Sequence, residues 1–176
     1  GYTDFAFKQF FESAKMEPWF DNTIFIITAD HTNQVDYKEY LKPINRYAIP
    51  IMIYSSDEKY IGLNSDLAQQ IDIYPTILNM IGYDKPFRSW GRSLVEESST
   101  PTTPFVMNFI GQNYQFSKGN IICIFDGVKA IGFYDINDLG LEINLISNRT
   151  KEMNDVELSC KAFLKDYFDR IIDKNL

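Results

Sequence analysis

One unbroken apolar run, Ile24–Thr28, limits the possible folds more than any other part of this chain. Its β-branched and aromatic residues favour a strand that is buried on both faces, as in a parallel sheet. The turn signal Asp21-Asn22 precedes the run, and Asp30 and His31 follow it. In open α/β sheets, ligands bind at the carboxyl ends of the strands. The sequence therefore predicts a central strand with Asp30 and His31 at the ligand-binding edge of a sheet.

Asp30 and His31 have two interpretations. In the first, Asp30 caps the next element and His31 is an ordinary loop residue. In the second, the carboxylate and the imidazole are adjacent ligands of a divalent cation. His31 is the only histidine of the chain, so no other part of it could supply an imidazole. The residues alone leave both interpretations open.

The segments on either side of this run predict further α/β structure. Residues 3–16 have the apolar spacing of a helix with one aromatic face. Ile49–Tyr54 has the composition of a second buried strand. The loops at residues 32–46 and 55–64 are expected to leave the same edge of the sheet as the Asp-His pair.

A second helix is predicted to follow Asp72. Pro75 would lie in its first turn and Gly82 just beyond its end, which is the usual placement of these two residues. Asp72 itself is interpreted as a cap or a supporting residue rather than as a primary ligand.

The segment Ser98–Pro104, with two prolines among hydroxyl residues, predicts a linker. Beyond it the pattern becomes β-rich, with Asp126-Gly127 as a two-residue hairpin signal. The last helix has a continuous apolar stripe from Val156 to Ile172 and is expected to lie across an antiparallel meander. The predicted strands of this meander are Phe105–Ile110, Tyr114–Phe116, Ile121–Phe125 and Lys129–Tyr134.

The composition of the 176 residues restricts the partners and the compartment. A hydrophobic content of 45% and an aromatic content of 15% indicate a folded protein. The net charge of −7 and the absence of a basic run argue against nucleic acid as a partner. No stretch approaches the roughly 20 apolar residues of a membrane span. The chain begins at Gly1, which suggests an excised segment or a processed product. Cys123 and Cys160 could pair or remain buried thiols, the second being favoured.

Several motifs, in a fixed order, carry a resemblance to a known family. They cover residues 1–95 and are Tyr2-Thr3-Asp4, Asn22–Thr32, Tyr47-Ala48-Ile49-Pro50, Gln70–Leu78 and Trp90-Gly91-Arg92-Ser93-Leu94. The ordered set resembles the late metal-binding part of the sulfatase-like alkaline phosphatase superfamily. It is most similar to the branch of lipoteichoic acid synthases and phosphoglycerol or phosphoethanolamine transferases.

The resemblance implies an α/β fold in three parts. Residues 1–95 would be the C-terminal portion of an alkaline-phosphatase-like parallel-sheet domain, and residues 96–104 a linker. Residues 105–176 would form a small antiparallel β subdomain with a long C-terminal helix.

The resemblance also implies a metal-dependent enzyme that acts on phosphate or sulfate esters. Asp30 and His31 match the late metal ligands, with Mn²⁺ as the expected ion and Zn²⁺, Mg²⁺ or Ca²⁺ as alternatives. The family's serine or threonine nucleophile lies upstream of the matching segments, and nothing in residues 1–23 corresponds to it. The isolated chain is therefore expected to be inactive, and the alternative function is a non-catalytic binding or assembly module on the same scaffold.

The expected partners and location follow from the same resemblance. The substrate would be a phosphate or sulfate ester, free or linked to a lipid or glycan. The protein partner would be the missing N-terminal part of the same enzyme, or a second copy bound through the exposed sheet edge. The location would be extracytoplasmic, with the domain tethered to the membrane by upstream segments.

Overall fold

The computed structural model describes residues 1–32, 37–95 and 103–172. They divide into two compact units. Unit 1 consists of Gly1–His31 and Ile49–Asn64, and unit 2 consists of Thr32–Ala48 and the chain from Ser65 onwards.

Unit 1 is a helix and a two-stranded sheet held together by aromatic side chains. Phe11, on the helix, packs against Phe25 of the first strand at 5.1 Å and against Tyr54 of the second at 5.6 Å between ring centroids. Phe20, from the connection between helix and strand, closes this cluster on Phe25 at 5.4 Å. The helix predicted for residues 3–16 is thus confirmed. The regular elements are α1 (Tyr2–Ala14), a 3₁₀ turn (Phe20–Asn22), β1 (Phe25–Thr28) and β2 (Ile51–Tyr54).

The parallel sheet predicted for this region is not confirmed. β1 and β2 pair antiparallel, with Phe25 opposite Tyr54 and Thr28 opposite Ile51, and β1 is half-buried rather than covered on both faces. Parallel neighbours need a crossover connection, usually a helix. The described residues between β1 and β2 form only short 3₁₀ turns.

The antiparallel register also corrects the placement of the loops. Because Thr28 lies opposite Ile51, the residues just before β2 are at the Asp30–His31 end of β1. The chain after Tyr54 leaves from the opposite end. Residues 55–64 therefore do not share the edge of the Asp-His pair, contrary to the sequence-based expectation.

Unit 2 combines a four-stranded sheet with two α-helices. The predicted helix after Asp72 is present, and Gly82 has φ +69° just beyond its end, a conformation that glycine adopts without strain. The elements are 3₁₀ turns at Lys38–Leu41, Asn45–Tyr47, Gln70–Asp72 and Ile146–Asn148, helices α2 (Ile73–Met80) and α3 (Lys151–Ile172), and strands β3 (Phe105–Ile110), β4 (Asn113–Lys118), β5 (Ile121–Phe125) and β6 (Ala130–Asp135).

The sheet of unit 2 is the predicted antiparallel meander, in the order β3-β4-β5-β6. Gly127, with φ +98°, makes the tight turn between β5 and β6, where the Asp126 N–H donates to the Lys129 carbonyl at 3.1 Å. α3 covers one face of the sheet, as its apolar stripe predicts. The core between sheet and helix consists of Phe116, Ile121, Cys123, Phe125, Ala130, Phe133, Met153, Val156, Cys160 and Leu164.

Both cysteines are free and lie in this core. Burial raises the pKa of the Cys123 and Cys160 thiols to about 12. They therefore behave as small apolar residues and stay protonated at neutral pH.

Carboxamide side chains occupy both edges of the sheet of unit 2. At β3, Gln69 donates from Nε2 to the Phe105 carbonyl at 2.9 Å and accepts from the Met107 N–H at 3.2 Å. At β6, Asn144 donates to the Ile131 carbonyl at 3.3 Å and accepts from the Phe133 N–H at 3.2 Å. Each side chain thus makes two of the hydrogen bonds that a further strand would make.

Residues 65–95 pack in the same unit as the C-terminal sheet. The predicted linker at 96–104 lies outside the described residues except for Thr103 and Pro104, and the predicted domain boundary there stays a prediction. In the ranges that the structure describes, no helix combines the length and the apolar character needed to cross a membrane.

Candidate functional site

Asp30 and His31 lie just beyond the end of β1 and are accessible to solvent. The side chain of Asp30 is 85% exposed and that of His31 is 73% exposed. The His31 N–H donates to Asp30 Oδ1 at 2.9 Å, and His31 Nε2 lies 3.4 Å from Asp30 Oδ2. The turn after β1 therefore brings a carboxylate oxygen and an imidazole nitrogen close together.

This donor pair fits one divalent cation. Two donors that each lie about 2.1 Å from one ion are about 3.0–3.4 Å apart, depending on whether its geometry is octahedral or tetrahedral. The observed separation of 3.4 Å needs little rearrangement. An oxygen and a nitrogen donor together suit Mn²⁺ and Zn²⁺.

Within the described ranges, few side chains could act as metal ligands together with this pair. Among these residues, no group of three or more His, Cys, Asp or Glu side chains converges on one point. Tightly held ions have four or more ligands. Asp30 and His31 could thus offer at most two ligands to an ion, and any others would have to come from water, substrate or other polypeptide.

Asp72 is a structural residue, as the sequence indicates. Only 3% of it is exposed. Its carboxylate accepts hydrogen bonds from the backbone N–H groups of Gln69 and Arg92, both at 2.9 Å. Burial raises the pKa of this carboxyl group, and the two hydrogen bonds only partly offset that effect.

The motif around Asp72 interlocks with the motif around Gly91. Thr76 Oγ1 donates to the Asp72 carbonyl at 2.6 Å and accepts from the Leu94 N–H at 2.9 Å. A Cβ atom on Gly91 would lie 2.2 Å from the Ile71 carbonyl oxygen, so only glycine permits this approach. The two motifs therefore stabilise one local structure in unit 2, and they do not place a reactive group in solvent.

A second polar site was not predicted from the sequence. It is an open cleft of about 590 Å³ in unit 2, between the loop after α2 and the C-terminal half of α3. The only signal for its helical side is the spacing of Asp166, Asp169 and Arg170, which places them on one helix face. Its lining residues are Phe87, Arg88, Ser89, Asp166, Asp169 and Arg170.

Comparison with known proteins shows which family residues 1–83 resemble. The model of the Sulfatase family matches residues 1–83, a range that contains α1, β1, β2, α2 and the Asp30–His31 pair. The predicted resemblance is confirmed, and the chain carries a sulfatase-like segment.

Individual proteins are also similar to this chain. The chain is similar to the proteins named lipoteichoic acid synthase in Staphylococcus aureus strains USA300, NCTC 8325 and MRSA252. The identity is 28% over 136 residues, which cover 68% of this chain and 21% of each relative. The chain thus spans about a fifth of the length of these relatives. No solved structure matches it.

Proposed function

We propose that this chain is the C-terminal part of a metal-dependent sulfatase-like enzyme that acts on phosphate or sulfate esters, with Asp30 and His31 as metal ligands. One observation carries the proposal. The exposed carboxylate and imidazole lie 3.4 Å apart at the end of β1, inside the segment that the sulfatase family model matches. An ordinary surface ion pair could have the same spacing, but the family match favours the ligand role.

A divalent cation at this position would neutralise charge on the ester and activate a hydroxyl nucleophile. Asp30 would contribute an anionic oxygen, and the backbone bond from the His31 N–H to Asp30 Oδ1 would hold that carboxylate in place. His31 would contribute a neutral imidazole nitrogen. The serine or threonine nucleophile and an acidic ligand would come from polypeptide outside these residues.

The name of the relatives favours a phosphoglycerol or phosphoethanolamine transferase over a sulfuric ester hydrolase. The substrate would then be a phosphate ester linked to a lipid or a glycan, and Mn²⁺ would be the first choice of ion. Such an enzyme would work outside the cytoplasm, tethered to the membrane by other segments of the protein.

The test is a pair of substitutions in the full-length protein. Asp30→Ala and His31→Ala should each lower turnover of a phosphate-ester substrate by about 10²-fold or more, because each removes a metal ligand. Glu17→Ala, at an exposed acidic residue of the same unit, is the matched control and should keep full turnover. Normal turnover in both site variants would favour the alternative, a non-catalytic module.

The metal itself can be tested on the 176-residue chain. Titration with Mn²⁺, followed by electron paramagnetic resonance, should show weak binding that Asp30→Ala abolishes, because two protein ligands leave the ion largely hydrated. A tightly held, stoichiometric ion would contradict the proposal that the site is only partly contained in this chain. The isolated chain should not hydrolyse aryl phosphates or aryl sulfates.

We further propose that unit 1 is completed by other polypeptide, either another part of the same enzyme or a second copy of this chain. Several of its large apolar side chains are more than 40% exposed, including Phe5, Phe10 and Met52. A two-stranded sheet also leaves backbone groups open to pairing. Light scattering should show that the purified chain self-associates, and Phe10→Ser should reduce this. A monomer at high micromolar concentration, with no co-purifying fragment, would contradict it.

A further inference from the structure

The cleft of unit 2 has features of a binding site that the metal-site proposal does not use. The cleft has a volume of about 590 Å³ and is open to solvent. Four of its six lining residues are charged, two of each sign. A lining of this kind favours a polar, hydrogen-bonding ligand over an apolar one.

The helical wall of the cleft is held rigidly around Trp90. The indole Nε1–H donates to Asp166 Oδ2 at 2.6 Å, and Arg170 Nη2 lies 2.8 Å from the same oxygen. The Arg170 guanidinium also stacks over the indole, with its central carbon 4.9 Å from the ring centroid. Since these groups already satisfy one another, the wall needs no rearrangement to receive a ligand.

Arg88, on the opposite wall, differs from Arg170. It is exposed and makes no hydrogen bond or ion pair within the part of the chain that the structure describes. Its charge acts on Asp166 only through space, where it contributes to lowering the pKa of that carboxyl group. The guanidinium fork of Arg88 is therefore available for an anion.

An aromatic surface adjoins this arginine. Phe87 lines the cleft and is held edge-to-face by Tyr74 at 5.7 Å and by Tyr83 at 6.3 Å. Its ring is 42% exposed. A fixed, exposed ring beside a cation offers a surface against which the C–H groups of a sugar or polyol can pack.

We propose that this cleft binds the phosphate ester of a polyhydroxy compound, such as a glycerol phosphate or a sugar phosphate. Arg88 would hold the phosphate through its paired N–H donors. Phe87 would pack against the carbon skeleton, and the carboxylate of Asp169 would accept hydrogen bonds from hydroxyl groups. The choice of ligand class rests on the proposed function, because the same kind of ester is its proposed substrate, but the binding itself does not require turnover.

The two tryptophans of the chain provide the readout. Trp90 contacts the cleft wall, whereas Trp19 lies in unit 1. Titration of the ¹⁵N-labelled chain with glycerol phosphate should shift the Trp90 indole resonance saturably and leave the Trp19 resonance in place, the two being assigned with Trp19→Phe. Inorganic phosphate and glycerol are titrated separately and should bind more weakly than the ester that joins them.

Arg88→Gln should weaken binding by about tenfold or more, since it removes a charge-assisted, bidentate contact. Its fold should persist because Arg88 is exposed. Lys129→Gln, which removes the same charge from the exposed β5–β6 hairpin, is the matched control and should bind normally. Equal weakening in both variants, equal affinity for inorganic phosphate and glycerol phosphate, or an unmoved Trp90 resonance would each overturn the inference.

Failure of this inference is distinguishable from failure of the proposed function. Asp30→Ala should leave glycerol phosphate binding at the cleft unchanged while it abolishes turnover of the full-length protein. Arg88→Gln should weaken glycerol phosphate binding to the 176-residue chain whether or not the full-length protein turns over an ester. Normal binding in this variant would overturn the inference without bearing on the proposed metal ligands.

Discussion

Unit 1 and unit 2 both place a helix against antiparallel strands, but they bury different amounts of apolar surface. Of the thirteen buried apolar residues in the described ranges, Ala14 and Phe20 belong to unit 1 and the other eleven to unit 2. In unit 1 some aromatic rings meet edge-to-face and others at tilted angles, and most of them remain partly exposed. In unit 2 the 22 residues of α3 lie over a four-stranded sheet and exclude water from its core.

The difference in buried apolar surface indicates that unit 2, rather than unit 1, can be stable by itself. A two-stranded sheet is marginal in water, whereas three or more strands packed against a helix form an independent core. The proposed metal ligands lie in the less buried unit, in keeping with the general rule that ligand-binding segments come from the less stable parts of a structure. The predictions below concern the free energy of unfolding of each unit and are ordered from the largest effect to the smallest.

The largest expected effect is that of Phe116→Ala in unit 2. Phe116 is 2% exposed and stacks on Phe105 at 5.3 Å, so its truncation should leave a cavity and cost about 3–5 kcal/mol. Phe25→Ala, at the half-buried centre of the unit 1 cluster, should cost about half as much. Denaturant unfolding can follow unit 2 through Trp90 and unit 1 through Trp19. Equal costs would show that the two cores are equally well packed.

Gly91→Ala should be the next most costly change. The added methyl group would meet backbone atoms of Ile71 and Asp72, which cannot move aside as a side chain can. The expected loss is about 1–3 kcal/mol or more, measured by the same Trp90 transition. Gly82→Ala is the comparison, since a Cβ atom there meets nothing within 4 Å and only its positive φ imposes strain. If Gly91→Ala costs no more than Gly82→Ala, the two motifs do not interlock as described.

Glu157→Gln should lower the stability of unit 2 by about 1–2 kcal/mol at neutral pH. Burial alone would raise the pKa of Glu157, but hydrogen bonds from Lys161, Arg149 and the Ala130 N–H outweigh it and lower the pKa. A carboxyl group with a lowered folded-state pKa stabilises the fold above its ordinary value of 4.5 and loses that contribution as the pH falls below it.

The difference between wild type and Glu157→Gln should therefore shrink between pH 5 and about pH 3, as measured by urea unfolding. Asp169→Asn, which breaks the more exposed Lys165–Asp169 pair of the same helix, is the control and should change stability little at any pH. A difference that stays constant with pH would mean that the charge of Glu157 does not stabilise unit 2.

The smallest effect on stability is expected for Asp30→Ala and His31→Ala. The contact between their side chains is largely exposed, so solvent replaces what either side chain loses. Thermal unfolding of the 176-residue chain should be unchanged within error. A clear loss of stability would favour the interpretation of Asp30 as a structural cap rather than as a ligand.

The parts of the structure that are determined by residues close together in the sequence were predictable. The hairpin at Asp126-Gly127 and the apolar stripe of α3 are set by local chemistry, and the strands of the meander begin and end within a few residues of their predicted positions. The same holds for Asp30 and His31, whose proximity follows from their adjacency. It does not establish that they bind a metal.

Structure that depends on distant segments was not predictable. An apolar run such as Ile24–Thr28 indicates a strand but contains no information on the direction of its neighbour, so the antiparallel pairing with β2 was missed. The cleft was missed for a related reason. Its wall depends on the contact between Trp90 and Asp166, which are 76 positions apart, and no periodicity links them.

The side chains of Gln69 and Asn144 have a consequence for aggregation of the protein at high concentration. A β-sheet can grow like a polymer, since each exposed edge accepts the next strand as a monomer. At each edge of the sheet, one carboxamide occupies backbone groups to which the next strand would bind. It presents no new strand for further pairing, as a chain terminator does in a polymerisation. A leucine side chain forms no hydrogen bonds. Gln69→Leu or Asn144→Leu would therefore reopen an edge of the sheet for pairing with another strand.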